Sequence, residues 1–145
     1  MKRISLLLLF LFFISCGKNS PEEMLQYIDG YWQIEKVEVE KDSLVEFGLS
    51  QYVDFIEIKD SLGFRKKLQP KLDGGFLKTN SEEKIKVDIR GEQLFFQYST
   101  PFNTWEEEIL ETSPDVLVTK NKEGKIYYYK RFEPLLNLGD EKKKE

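Results

Sequence analysis

The segment "WEEEILE" gathers Glu106, Glu107, Glu108 and Glu111. Neighbouring carboxylates serve as the acid and base of glycoside hydrolysis or as ligands for calcium. On an extended strand, Glu107 and Glu111 share a face with Trp105 and Ile109, while Glu106 and Glu108 take the other. The plainer reading of such a cluster is a solvated rim of charge. "FRKKLQPK" supplies the opposite sign through Arg65, Lys66, Lys67 and Lys71. That patch reads as a solvated strand face, or as a contact for an anion. The chain has no histidine and a single cysteine, Cys16. A histidine-based general base, a Ser–His or Cys–His pair and Cys/His metal spacing are therefore excluded. No glycine-rich phosphate loop precedes a helix. The expectation is a protein that is not an enzyme and has no cofactor and no metal.

The aromatic residues offer a different chemistry. Phe95, Phe96, Tyr98, Phe102, Trp105, Tyr127, Tyr128 and Tyr129 crowd the second half of the chain. Strand alternation makes Leu94, Phe96 and Tyr98 one inward series, and gives Tyr127 and Tyr129 the parity of Arg131. Inward aromatics are core by default. They are also the walls of ligand pockets, which are mainly apolar with a few polar handles such as tyrosine hydroxyls. In a pocket, Phe96, Tyr98 and Tyr129 form the lining, and Trp105 with Glu107 stands at the mouth. The ligand is then small and mostly apolar, a small molecule or part of an acyl chain. The alternative is a barrel filled by its own side chains that acts as a structural or protein-interaction subunit.

These residues must be held by strands. Turn signals recur about every ten residues: "KDSLG", "LDGG", "TNSE", "RGEQ", "TPFN", "TSPD" and "NKEG". Such regular spacing marks a sandwich or barrel. Strands are expected near 31–40, 51–59, 64–71, 76–79, 84–90, 93–99, 104–111, 116–120 and 125–132. In "KIKVDIR", Ile85, Val87 and Ile89 alternate with charge, so one face is dry. In "YVDFIEI", Val53 and Phe55 are out of phase with Ile56 and Ile58, which points to a bulge. Short connections, apart from residues 41 to 50, favour an all-β fold: an up-and-down antiparallel barrel of about eight strands. Closure removes the exposed edges, and eight strands enclose only side chains or one small ligand. Before the strands, "PEEMLQYID" forms a short N-terminal helix, with Pro21 in its first turn and Met24, Leu25 and Ile28 on one side, as a plug for one end.

The N-terminus gives an address. Lys2 and Arg3 precede a mainly apolar run of 11 residues, Ile4 to Ile14. That is shorter than the ~20 residues of a membrane span and has the form of a secretory signal. "FISC" at its end resembles the lipobox of bacterial lipoproteins, which implies cleavage before Cys16 and a diacylglycerol on its thiol. The resulting organisation is a signal peptide over 1–15, a lipidated tether over 16–22, a barrel domain over 23–135 and a polar tail over 136–145. Leu135, Leu136 and Leu138 are expected to fold back onto the barrel. Loss of Lys2 and Arg3 leaves 20 basic against 26 acidic residues, a net charge of −6. That balance argues against nucleic acid and against electrostatic docking on anionic lipid. Membrane attachment then comes through the lipid alone, with the outer membrane as the expected location.

"GYW" at Gly30, Tyr31 and Trp32, together with "SPDVLVTKNKEGKIYYYKRFE", resembles the lipocalin-like proteins of bacterial envelopes. The resemblance runs from about Ile28 to Phe132, and the middle Thr-Asp-Tyr signature of that family has no counterpart here. It implies a lipocalin-like barrel with Trp32 closing the bottom. Arg131 would lie across the indole face, and Gly30 opens the first strand. For these three residues the implied role is structural closure.

Overall fold

The computed structural model describes residues 19–40, 43–48 and 50–134. Cys16, Leu135, Leu136 and Leu138 lie outside these residues, as does the polar tail. The order is α1 (Pro21–Leu25), β1 (Gly30–Glu40), β2 (Ser43–Glu46), β3 (Val53–Lys59), β4 (Leu62–Pro70), β5 (Phe76–Arg90), β6 (Gln93–Ser99), β7 (Thr104–Thr112), β8 (Val116–Asn121) and β9 (Ile126–Arg131). Every neighbouring pair from β3 to β9 is antiparallel. The sheet closes where β1 pairs with β9 on one edge and with β3 on the other. Eight strands therefore form a closed up-and-down antiparallel barrel. A flat sheet of this length would leave unpaired backbone at both edges, and closure satisfies it.

β2 was not among the expected strands. It pairs with Lys36 to Glu40 of β1, beyond the short stretch where β3 pairs with Gly30 to Trp32. All four of its residues are exposed, so "SLVE" carries no alternation by which a strand is recognised. The two strands expected at 76–79 and 84–90 are one, β5, which crosses the "TNSE" turn signal without breaking. The bulge expected in "YVDFIEI" is absent. β3 pairs residue for residue with β4 from Val53 to Lys59. Phe55 instead faces outward, 4.9 Å from the ring of Tyr31 and 5.9 Å from Phe64. Tyr31 in turn stacks on Phe76 at 4.6 Å, so an apolar cluster lies on the outside of the wall. The irregularities fall elsewhere, between Ile34 and Lys36, Glu38 and Glu40, Lys66 and Leu68, and Ile109 and Glu111.

Helix α1 begins at Pro21, inside the stretch read as tether. Ser20 and Glu23 form a capping box, each side chain meeting the other residue's backbone N–H. The helix sits across the end of the barrel where β1 starts and β7 finishes. The Thr112 hydroxyl donates to the Met24 carbonyl at 2.9 Å. Met24 and Ile28 enter one core with Trp32, Ile56, Ile85, Leu94, Phe96, Tyr98, Ile109, Leu117 and Tyr129. Burying an aliphatic or aromatic side chain contributes about 1.5–3 kcal/mol. The helix is shorter than expected and ends at Leu25, so Ile28 enters from the turn that follows, and the whole plug gains from the core as much as it seals it.

Candidate functional site: two ends and a polar interior

The sealed end is built around Trp32, which is fully buried. Its indole Nε1 donates to the Ile28 carbonyl at 2.6 Å. The Arg131 guanidinium lies 3.8 Å from the centre of the indole. Its nitrogens donate to three backbone carbonyls: Asp29 at 2.6 Å, Tyr27 at 2.7 Å and Pro114 at 2.7 Å. One side chain so ties the helix exit, the β7–β8 turn and the closing strand to the indole. Among the described residues no carboxylate bonds to it, and partial burial lowers its pKa, opposed by nearby Asp115 and Asp29. Gly30 makes room for this arrangement. Its φ is +122°, and a Cβ there would stand 2.6 Å from Arg131 Nη1.

The interior above Trp32 is polar as well as aromatic. Arg65 points inward with its side chain 12% exposed, so the reading of "FRKK" as a solvated face fails for this residue. Arg65 pairs opposite Ile56, an inward position of β3, and period-two alternation then sends Lys66 outward. Its Nε donates to Glu83, and Nη1 lies 3.4 Å from the Tyr98 hydroxyl and 3.6 Å from Glu107 Oε2. The guanidinium sits 4.3 Å over the Tyr98 ring. Trp105 stacks on the same ring at 5.2 Å and 10°, and its Nε1 donates to Glu107 Oε1 at 3.3 Å. Glu107 is buried, not part of a solvated rim, and Glu111 does not share its face. The bulge between Ile109 and Glu111 shifts the phase, so Thr112 is buried and Glu111 exposed. Asp54, also buried, accepts from Lys67 Nζ at 3.1 Å.

Electrostatics follow from this enclosure. Burial pulls the Arg65 pKa down, but Tyr98, Glu107, Tyr129 and Asp54 outweigh it, and the net shift is upward. Tyr98 and Tyr129 are both raised by burial, with Arg65 opposing. Among the described residues, two buried side-chain polar atoms have no hydrogen-bond partner, Glu107 Oε2 and Thr119 Oγ1. Leaving such a group unpaired costs about 1–3 kcal/mol.

Phe96, Tyr98 and Tyr129 line one interior void, together with Trp32, Asp54, Arg65 and Thr119. Trp105 is not in its wall. It stacks behind Tyr98 toward the end opposite α1. The void measures about 10 Å³, the space of a single water molecule. The pocket for a small molecule or part of an acyl chain is therefore not open in this structure. The physical reason is that Phe96, Tyr98, Tyr129 and the long Arg65 chain together fill the section of an eight-stranded barrel. Asp54, Glu83 and Thr119 are the site residues that sequence reasoning did not pick out, and Arg65 was read only as part of a basic patch on a strand face. The inward parity of Arg65 was the one available signal, and it was masked by the two lysines that follow it, Lys66 and Lys67.

No curated protein matches the chain. A crystal structure of a lipocalin-like protein from Bacteroides uniformis aligns with it at 10% identity and a TM-score of 0.46, over 72% of this chain and 98% of that one. A family model described as a lipocalin-like domain matches residues 28–119. That span takes in Trp32, the Arg65 cluster and every strand from β1 to β7, though not Arg131, and on it the chain belongs to the lipocalin-like family.

Proposed function

We propose that this is a membrane-anchored envelope lipoprotein that binds one small molecule inside its barrel and is non-catalytic. The observation that carries the binding reading is a pair of unpartnered buried atoms: Thr119 Oγ1, whose residue lines the interior void, and Glu107 Oε2, one inward position along β7 from Ile109, which lines it too. Orphaned polar groups in a core call for a partner. As folded, the void admits a group the size of a water molecule. In this reading a larger body enters when the Trp105–Tyr98 stack turns toward the end that no helix covers among the described residues. Cys16 carries the lipid in this reading, and the outer membrane is the site of attachment. Asn19, three residues on, bonds to the Thr112 carbonyl at the sealed end. Three residues span at most about 11 Å, so the α1 end faces the lipid and the Trp105 end faces away.

A second reading has an observation of its own. The interior is nearly full, and Leu44, Val45, Phe47 and Tyr52 are all more than 40% exposed on and beside β2. Among the described residues β2 pairs with β1 alone. Apolar side chains grouped at a strand edge suit a protein contact, as an interaction subunit with a filled barrel requires.

Titration of environment-sensitive apolar probes, read through Trp105 fluorescence, separates the two. Saturable binding supports the interior site, and its absence across a broad probe set favours the interaction subunit. The anchor has a separate check. Mass spectrometry of protein extracted from membranes should find Cys16 acylated, and an unmodified thiol there would end that part of the proposal.

A further inference from the structure

We infer that the interior site selects its ligand by a primary ammonium head on an apolar body and discriminates against carboxylates. This deepens the interior-binding reading and rests on it. Size is the first argument. A void of about 10 Å³ takes a head of one heavy atom, which an ammonium nitrogen is and a three-atom carboxylate is not. Charge is the second. Arg65 is met by Glu83 and Glu107, and Asp54 lines the same void. Lys67, half-exposed, bonds to Asp54 from the rim. Three carboxylates against two cations leave the interior negative, so an entering anion finds no unmatched cation there.

Hydrogen-bonding capacity is the third argument. Glu107 is 7% exposed and Thr119 2% exposed, and each has an oxygen that receives no bond. The nearest cation to Glu107 Oε2 is Arg65 Nη1 at 3.6 Å, beyond hydrogen-bond reach. Thr119 lines the void directly, and Glu107 sits one inward position along β7 from Ile109, which also lines it. An ammonium group carries three donors and no acceptor, which matches the acceptor-only Glu107 Oε2 and the lone pairs of the Thr119 hydroxyl. Desolvating a cation is costly unless carboxylates compensate; here Asp54 lines the void and Glu107 lies beside it. Tyr98, Phe96 and Tyr129 add ring faces for the cation and for the apolar body.

The test is isothermal titration of the mature full chain with three water-soluble compounds of one ring size: 2-phenylethylammonium, 2-phenylethanol and 3-phenylpropionate. The ammonium compound should bind tightest and the carboxylate at least about tenfold more weakly. In Glu107→Gln the gap between ammonium and alcohol should narrow to less than about threefold, because the buried carboxylate charge is gone. The wild-type series decides the matter even if that variant fails to fold. Equal or tighter binding of phenylpropionate would overturn the ammonium inference and leave interior binding standing. Binding of none of the three would overturn both.

Discussion

Each end of this barrel stacks an arginine on an aromatic ring, and the two arrangements behave differently because of what else the guanidinium meets. At the sealed end Arg131 covers Trp32 and gives its hydrogen bonds to three backbone carbonyls. Carbonyls are dipoles fixed by the fold, so this contact adds no second charge to the interior. At the other end Arg65 covers Tyr98 and faces carboxylates, one of which keeps an unpartnered oxygen. A buried ion pair needs complete hydrogen bonding to offset its desolvation, and an incomplete one is prone to rearrange. The Trp32 end is a closure. The Arg65 end holds unspent polarity inside the protein, which is why the candidate site is placed there.

Four experiments break or sharpen this contrast. Trp32→Ala should have the largest effect, a loss of about 3–5 kcal/mol by denaturant unfolding, as for other buried large aromatics. Near-wild-type stability would show that the indole does not close the barrel. Arg65→Met should approach that cost, about 3–5 kcal/mol, because it strands buried carboxylates. The double variant Arg65→Met/Glu107→Leu should recover part of the loss. If the double is worse than the single, the pair is not the source of the strain. Arg131→Met should cost less, about 1–3 kcal/mol, since it orphans carbonyls rather than charges. Its effect should change little between low and high salt, and a strong salt dependence would contradict a seal built on dipoles.

The smallest effect is with pH. Tyr98 and Tyr129 are held neutral by burial, so their folded pKa values lie above the ordinary value near 10. Above about pH 10 the unfolded chain releases protons that the folded chain keeps. Stability should be level below pH 10 as far as these groups are concerned. It should fall as pH rises past 10 toward their folded values. Tyr98→Phe should flatten the fall, measured by urea midpoints from pH 9 to 11. An unchanged slope would mean that Tyr98 ionises as freely folded as unfolded.

How much of this was legible depended on how far each signal travels along the chain. Trp32 and Arg131 are 99 residues apart, and only the family resemblance joined them; nothing in their local spacing does so. The plug role of Met24 and Ile28 followed from helical spacing, and most strands followed from alternation between turn signals. Of the features that escaped, three show why. Strand β2 has no dry face, so its residues carry no period. Glu111 lost its expected face to a bulge that adjacent residues do not announce. Arg65 was averaged into its lysine neighbours, although the parity of its strand placed it on the face opposite Lys66.

The sequence by itself determined an all-β chain of short antiparallel strands with a helical plug, because alternation, turn residues and capping act over a few residues. It also settled that histidine and cysteine–histidine chemistry are excluded, by composition alone. Only the tertiary structure decided what the barrel contains. Whether an inward tyrosine lines a pocket or fills it depends on side chains from other strands, here Arg65 from β4 and Trp105 from β7 reaching the same ring. Volume and charge balance belong to the closed barrel as a whole, and no single strand carries them.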